Sequence, residues 1–292
     1  MSTINQISED DKSEIRDALK NYVDLAGSMN VASKQLQRIS IATISNVLSG
    51  KDEHISGDMW RKIKSQVVVT KDQWVIVEDT LPFVHLKTLV NDARNYQLTL
   101  GITAFAGTGK TEIGKYFASD PNFYFIRCSN YFNSRTFLRK LLASMGKDNA
   151  GYSSSEMMEE VLEMLHKAER PPVIFLDEAD KLTDAVLYFF ITLYNELEGK
   201  CGFVLIATDN LSKRIKRGVA NGKKGYAEIY SRIGRNFLEI QPADKDDQRR
   251  IIRANGVSDD ITVETIINKS QGDLRRIKML VFAEKRKEET RA

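Results

Sequence analysis

Apolar positions along this chain follow three different rhythms. Over residues 9–65 they recur at helical spacing: Ile15, Leu19, Tyr22 and Val23 in one stretch, then Val31, Leu36, Ile39, Ile41, Ile44, Val47 and Leu48. Ser40 is placed to cap a helix beginning near Ile41, and Gly50 to end it. Ile55 to Ile63 supplies one more short helix. Residues 66–82 break the rhythm. VVVT and WVIV are β-branched and read as short extended pieces, and Pro82 stops any helix crossing it. From 83 to 240 short apolar runs alternate with amphipathic ones. LTLGITA (98–104), FYFIRC (123–128), VIFLD (173–177), FVLIAT (203–208) and NFLEI (236–240) read as strands, and the stretches opening at Lys110, Asn133, Ser153 and Asp184 as helices. Strands separated by helices imply a parallel sheet covered on both faces. Residues 241–292 return to helical spacing and read as a small bundle.

The expected organisation is therefore a helical domain at 1–65, a connector at 66–82, an α/β core at 83–240 and a helical end at 241–292. A length of 292 residues suits about two domains. No apolar run reaches the roughly 18 residues of a membrane span, so no membrane role is expected. The polar, acidic start MSTINQISEDDKSE is unlike a secretory or transit peptide. Two distant cysteines, Cys128 and Cys201, read as packing residues in a reducing, cytoplasmic setting. His54, His85 and His166 lack metal-ligand spacing.

Charge changes the picture only when divided. Residues 1–70 carry 9 basic and 9 acidic side chains, residues 71–240 carry 22 and 21, and residues 241–292 carry 12 and 10. Within the middle block, 212–225 holds six cations and no acid: Lys213, Arg214, Lys216, Arg217, Lys223 and Lys224. With Gly218, Gly222 and Gly225 among them, the stretch reads as a flexible basic loop for a phosphate backbone.

Chemistry concentrates at two strand ends. LTLGITA runs through Ala104-Phe105-Ala106-Gly107-Thr108-Gly109 into Lys110, Thr111 and Glu112 at a helix start. This is a P-loop with Ala104 in place of the first glycine. Gly107 and Gly109 let successive N–H groups turn toward phosphates, with the helix N-terminus behind them. Lys110 is expected on the β- and γ-phosphates of ATP, and Thr111 on Mg²⁺. VIFLDEAD ends a wholly apolar strand in Asp177 and Glu178. Asp177 is expected to hold Mg²⁺ through water, and Glu178 to orient and polarise the attacking water.

AGTGKT followed by IFLDEAD resembles the AAA+ ATPases over about residues 80–285. That resemblance implies an AAA+ P-loop sheet with helices on both faces and a small C-terminal helical lid. It also implies a polar sensor after the strand FVLIAT, among Thr208, Asp209 and Asn210, with Asp209 at the aligned position. It implies an arginine finger acting on a neighbouring subunit, Arg232 with Arg235 as second choice, and a lid arginine, Arg275, in GDLRR. The polar partner of the catalytic glutamate would fall at Ser129 or Asn130.

VASKQLQRISIATISNVLSGK resembles a repressor-type helix-turn-helix, with Thr43, Ser45 and Asn46 facing outward from the second helix and Lys34, Arg38 and Lys51 placed for phosphates. A module for protein contacts is the other reading of those residues. The order of parts resembles the MuB-like transposition ATPases, whose relatives include the TnsC and IstB types. This implies an ATP-dependent homo-oligomer, a filament or ring on double-stranded DNA with little sequence preference, that delivers target DNA to a DDE-type transposase. Two other readings stay open: a replication helicase loader or initiator-like ATPase, and a helix-turn-helix transcriptional regulator with a nucleotide switch.

Overall fold

A computed structural model describes residues 7–36, 38–67, 74–147 and 151–291. The chain divides into two compact units, residues 1–74 and 75–292. The VVVT piece falls largely outside the described residues, as does the side chain of Lys34.

The first unit is helical: α1 (Glu9–Ala26), α2 (Met29–Gln35), α3 (Ile41–Leu48), a 3-10 turn at Asp52–His54, and α4 (Gly57–Val67). Serine hydroxyls at Ser8, Ser28 and Ser40 cap the first three helices by accepting from the third backbone N–H onward. Ile15, Leu19, Ile44, Val47, Trp60 and Ile63 are buried together. Arg16 braces this core, donating to the Val47 carbonyl at 2.9 Å and to both oxygens of Asp52 at 3.0 Å.

The second unit is built on five parallel strands: β1 (Thr99–Ala104), β2 (Phe123–Arg127), β3 (Val173–Asp177), β4 (Gly202–Ala207) and β5 (Leu238–Ile240), ordered β2-β3-β4-β1-β5. Strand side chains alternate between two cores. Val173, Phe175, Val204 and Ile206 face α5 (Leu81–Asn95) and α6 (Lys110–Phe117). Ile174, Leu176, Phe203 and Leu205 face the opposite group, α7 (Ser134–Ser144), α8 (Ser154–His166), α9 (Asp184–Leu197), α10 (Asp209–Ala220) and α11 (Tyr226–Arg232). This is an α/β fold with a parallel sheet covered on both faces, as the alternating apolar runs require. Cys128 and Cys201 are buried and unbridged, and burial pushes both thiols up. Among the described residues no helix is long and apolar enough to cross a membrane.

Two expectations are corrected. WVIV adds no strand; instead Val75 exchanges hydrogen bonds with the Asn255 side chain, and the Leu81 amide donates to buried Asp247 at 3.0 Å. The connector's end is thereby tied to α12 (Lys245–Ala254), the first helix of a C-terminal group completed by α13 (Asp260–Ser270) and α14 (Leu274–Arg291).

The second correction concerns the basic stretch. Residues 209–220 are helical, because Leu211, Ile215 and Gly218 recur at i, i+4 and i+7 and are buried; the density of cations hid that spacing. Gly218 is a packing glycine: a Cβ there would overlap the Tyr226 ring. Gly218→Ala should therefore destabilise the second unit by about 1–3 kcal/mol, the usual range for overpacking. Chemical denaturation of the parent and variant checks this, and an unchanged midpoint would show that the ring has room to move.

Candidate nucleotide site and basic hairpin

At the carboxyl ends of β1 and β3 the sequence motifs converge. Gly107 (φ +78°) and Gly109 (φ +89°) are both left-handed, a conformation open to glycine at little cost, and Gly109 caps α6. Thr108 closes the loop by donating to the Phe105 carbonyl at 2.7 Å. Lys110 is buried and its ammonium donates to the carbonyls of Ala104 (2.8 Å) and Phe105 (2.5 Å). Burial pulls its pKa downward, while Asp177 opposes this.

Asp177 is the last residue of β3 and is completely buried. It accepts from the Thr111 hydroxyl at 2.7 Å and from the Glu178 amide at 2.9 Å. Burial raises its carboxyl pKa despite the Thr111 hydrogen bond. Two hard oxygen donors side by side, one of them a carboxylate, fit a magnesium ion. Glu178 follows in a left-handed conformation (φ 55°). Its carboxylate is gripped by Arg127 at 2.9 Å and by Lys181. Burial alone would raise it, but the hydrogen bonds from Lys181 and Arg127 outweigh that and hold it below its ordinary value.

Arg127 was not legible from sequence as part of the site. It is the last residue of β2 and sits in register beside Asp177. Equal strand lengths in FYFIR and VIFLD are the one sequence cue. Ser129 and Asn130 lie one and two positions beyond Cys128; the recorded side-chain hydrogen bond there is between the two of them, at 3.5 Å, and not to Glu178.

The remaining residues sort by direction. Thr208 caps the entry to α10 and its hydroxyl donates to Asp180 at 3.4 Å. Asp209, the aligned sensor position, is exposed and pairs with Lys213 on its own helix at 2.5 Å. Glu112, expected on the phosphates, has its amide bonded to the Gly109 carbonyl and its carboxylate paired with Lys115. Arg232, expected to reach a neighbour, packs inward: its guanidinium bonds Asn195 (2.5 Å) and Glu228 (2.8 Å) and covers the Tyr194 ring. Arg235 is exposed and left-handed (φ 55°). Arg275 opens α14 close enough for its charge to depress the Lys110 pKa. Just before it, the Leu274 amide donates to the Gly107 carbonyl at 3.1 Å, with Asp273 against Gly107.

The six cations divide as well. Lys213 is paired with Asp209, and Arg214 and Lys223 with Asp184. Lys216, Arg217 and Lys224 are exposed and make no ion pair among the described residues. In the first unit Ser45 is exposed, while Thr43 shares its hydroxyl with Ser40 at 2.9 Å and Asn46 is half-buried.

A parallel five-stranded sheet with a glycine loop and carboxylate pair at its carboxyl end is similar to the architecture of AAA+ P-loop domains. The family model described as an AAA domain matches residues 93–215. Cdc6p from Pyrobaculum aerophilum is similar in structure, with a TM-score of 0.52 at 17% identity over 77% of this chain and 66% of that one. The ADP form of the ORC2 protein from Aeropyrum pernix gives 0.50 at 15% identity, over 74% and 64%. The present chain thus spans just under two thirds of either, and the likeness is one of fold. No curated protein matches the sequence.

Proposed function

We propose that this chain is a magnesium-dependent AAA+ ATPase that grips double-stranded DNA according to the nucleotide it holds. The observation that carries the reading is the convergence of Lys110, Thr111, Asp177 and Glu178 at one end of the sheet. Amides of the Gly107–Thr111 turn would cradle the phosphates, and Lys110 would leave the Ala104 and Phe105 carbonyls for the β- and γ-phosphates. Thr111 and Asp177 would hold Mg²⁺, which supplies charge neutralisation at the phosphates. Glu178 would exchange Arg127 and Lys181 for the attacking water and take its proton. Thr208 is the better-placed sensor, since its hydroxyl faces the Asp177–Asp180 segment.

Arg235 is the better-placed finger, since its side chain is exposed whereas Arg232 is engaged. Hydrolysis then requires a second copy. Arg235→Ala should lower turnover by about 10³-fold or more. Mixing it with a Lys110→Ala partner should restore part of the rate, because each supplies what the other lacks. Steady-state ATPase assays of the mixed sample check this, and a mixture as inactive as its components would place the finger elsewhere.

DNA contact is assigned to Lys216, Arg217 and Lys224, with α2 and α3 as a second candidate surface. Residues 25–51 carry three cations and no carboxylate. Neutralising Lys216, Arg217 and Lys224 together should weaken binding to every duplex alike and reduce the salt slope by up to about 3. Titrations at several salt concentrations read it, and an unaltered slope removes these residues from the interface.

Assembly as a filament that serves a DDE-type transposase is the finer reading, supported by the order of the parts along the chain. An initiator-like or helicase-loading role is favoured by the fold likeness to Cdc6p. Electron microscopy on duplex DNA with and without ATP tests the assembly: continuous ATP-dependent coverage supports the filament, and a single short protected site supports a specific regulator. Capture of a transposase or a helicase then separates the remaining two.

A further inference from the structure

The basic hairpin formed by α10, its following turn and α11 is joined to the segment that follows Asp177 by several side chains, of which one guanidinium makes the most bonds. Arg214 lies on the inner side of α10. Its Nη1 donates to the carbonyls of Leu182 (2.6 Å) and Asp180 (3.3 Å), its Nη2 to Asp184 (2.5 Å), and its Nε to the Tyr226 hydroxyl (3.0 Å). Asp184 also accepts from the Tyr226 hydroxyl at 2.7 Å and pairs with Lys223 at 2.5 Å. The Tyr188 hydroxyl donates to the Lys224 carbonyl at 2.6 Å, fixing the turn between α10 and α11. The hydrogen bond from Lys223, with those from Tyr226 and Arg214, holds the Asp184 carboxyl well below the usual carboxylate range, against the effect of burial.

Two of the links to the hairpin start at Asp180, close to the nucleotide site. Asp180 stands three residues after Asp177. Its carboxylate accepts from Thr208 at the head of α10, and its carbonyl accepts from Arg214 six residues further along. The hairpin has little slack to absorb a displacement. The Tyr226 ring fills the space left by Gly218, and Gly225 lies against Tyr188. A movement of residues 178–183 would therefore reach Lys216, Arg217 and Lys224 through these contacts. The planar fork of an arginine meets two carbonyls, a carboxylate and a phenol at once, which a lysine cannot do.

We propose that Arg214 is a positioning residue: it makes the placement of the exposed cations on α10 and its following turn depend on the state of the Asp177–Asp180 segment, so that the nucleotide sets the strength of the DNA grip. This rests on the reading of the protein as a nucleotide-gated DNA binder.

The test uses the full chain, its Arg214→Lys and Tyr226→Phe variants, a non-hydrolysable ATP analogue with Mg²⁺, and a duplex of arbitrary sequence. For the parent, the analogue should tighten DNA binding within the usual range for coupled sites, about 5–150-fold. In Arg214→Lys that ratio should fall to about twofold or less, with affinity for the analogue itself unchanged. A ratio retained at the parental value overturns the proposal. Hydrogen exchange provides an arm independent of DNA. The analogue should alter protection at residues 213–226 in the parent and not in Arg214→Lys; an equal response in both overturns the proposal. A parent that binds no DNA yet transmits the exchange response would sink the DNA reading and leave the coupling standing. If Arg214→Lys loses its folding transition, Tyr226→Phe, which removes one hydroxyl, carries the same comparison.

Discussion

Lys110→Ala should weaken binding of ATP by about 30-fold to several thousand-fold, the equivalent of roughly 2–5 kcal/mol for removing a buried, hydrogen-bonded charge from an anionic ligand. The reason lies in where the ammonium sits. It is buried and held by two loop carbonyls, and burial pulls its pKa downward while Asp177 opposes this. A triphosphate offers that ammonium anionic acceptors in place of neutral carbonyls, which adds direct charge–charge attraction in a buried site. The loop should survive the change, since Thr108 still closes it and Gly109 still caps α6. Calorimetric titration with a non-hydrolysable analogue at fixed Mg²⁺ measures the effect. Affinity within about threefold of the parent would mean that the phosphates lie elsewhere.

Glu178→Gln should retain nucleotide and DNA binding and lose hydrolysis by about 10²–10⁴-fold, the span typical of a lost general base. The two carboxylates at the end of β3 differ in environment. Asp177 is sealed beneath Thr111 and the Glu178 amide, a position for holding and not for proton transfer. Glu178 is less buried, its carboxyl is held below its ordinary value, and among the described residues its carboxylate pairs with Arg127 and Lys181, side chains that can swing away. Glutamine keeps the shape and one acceptor but cannot take a proton. Single-turnover measurements with bound ATP separate this from a binding defect. Hydrolysis at the parental rate would move the base to another group.

Much of this site was legible in the sequence, for a local reason. A strand, a glycine turn and a helix start are contiguous in the chain, so Gly107, Gly109, Lys110 and Thr111 could be placed from spacing alone. The wholly apolar VIFLD run pointed in the same way to a buried strand ending in a carboxylate. The basic stretch misled because charge was read before periodicity: Leu211, Ile215 and Gly218 already marked a helix among the cations. For Arg232 and Asp209, position in a motif does not say which way a side chain turns. Asn195 and Tyr194, which hold Arg232, come from a helix nearly forty residues earlier.

The sequence by itself determined which segments form the sheet and that Lys110, Thr111, Asp177 and Glu178 stand at strand ends, because hydrophobic period and backbone freedom are properties of neighbouring residues. Only the tertiary structure decided that Arg127 pairs with Glu178, that the Thr208 hydroxyl bonds Asp180 while Asp209 pairs with Lys213, and that Arg214 is spent inward and leaves Lys216, Arg217 and Lys224 outward. Those outcomes depend on which strand ends lie side by side and which helices cross. Long-range packing, not local preference, then selects the partner of each charge.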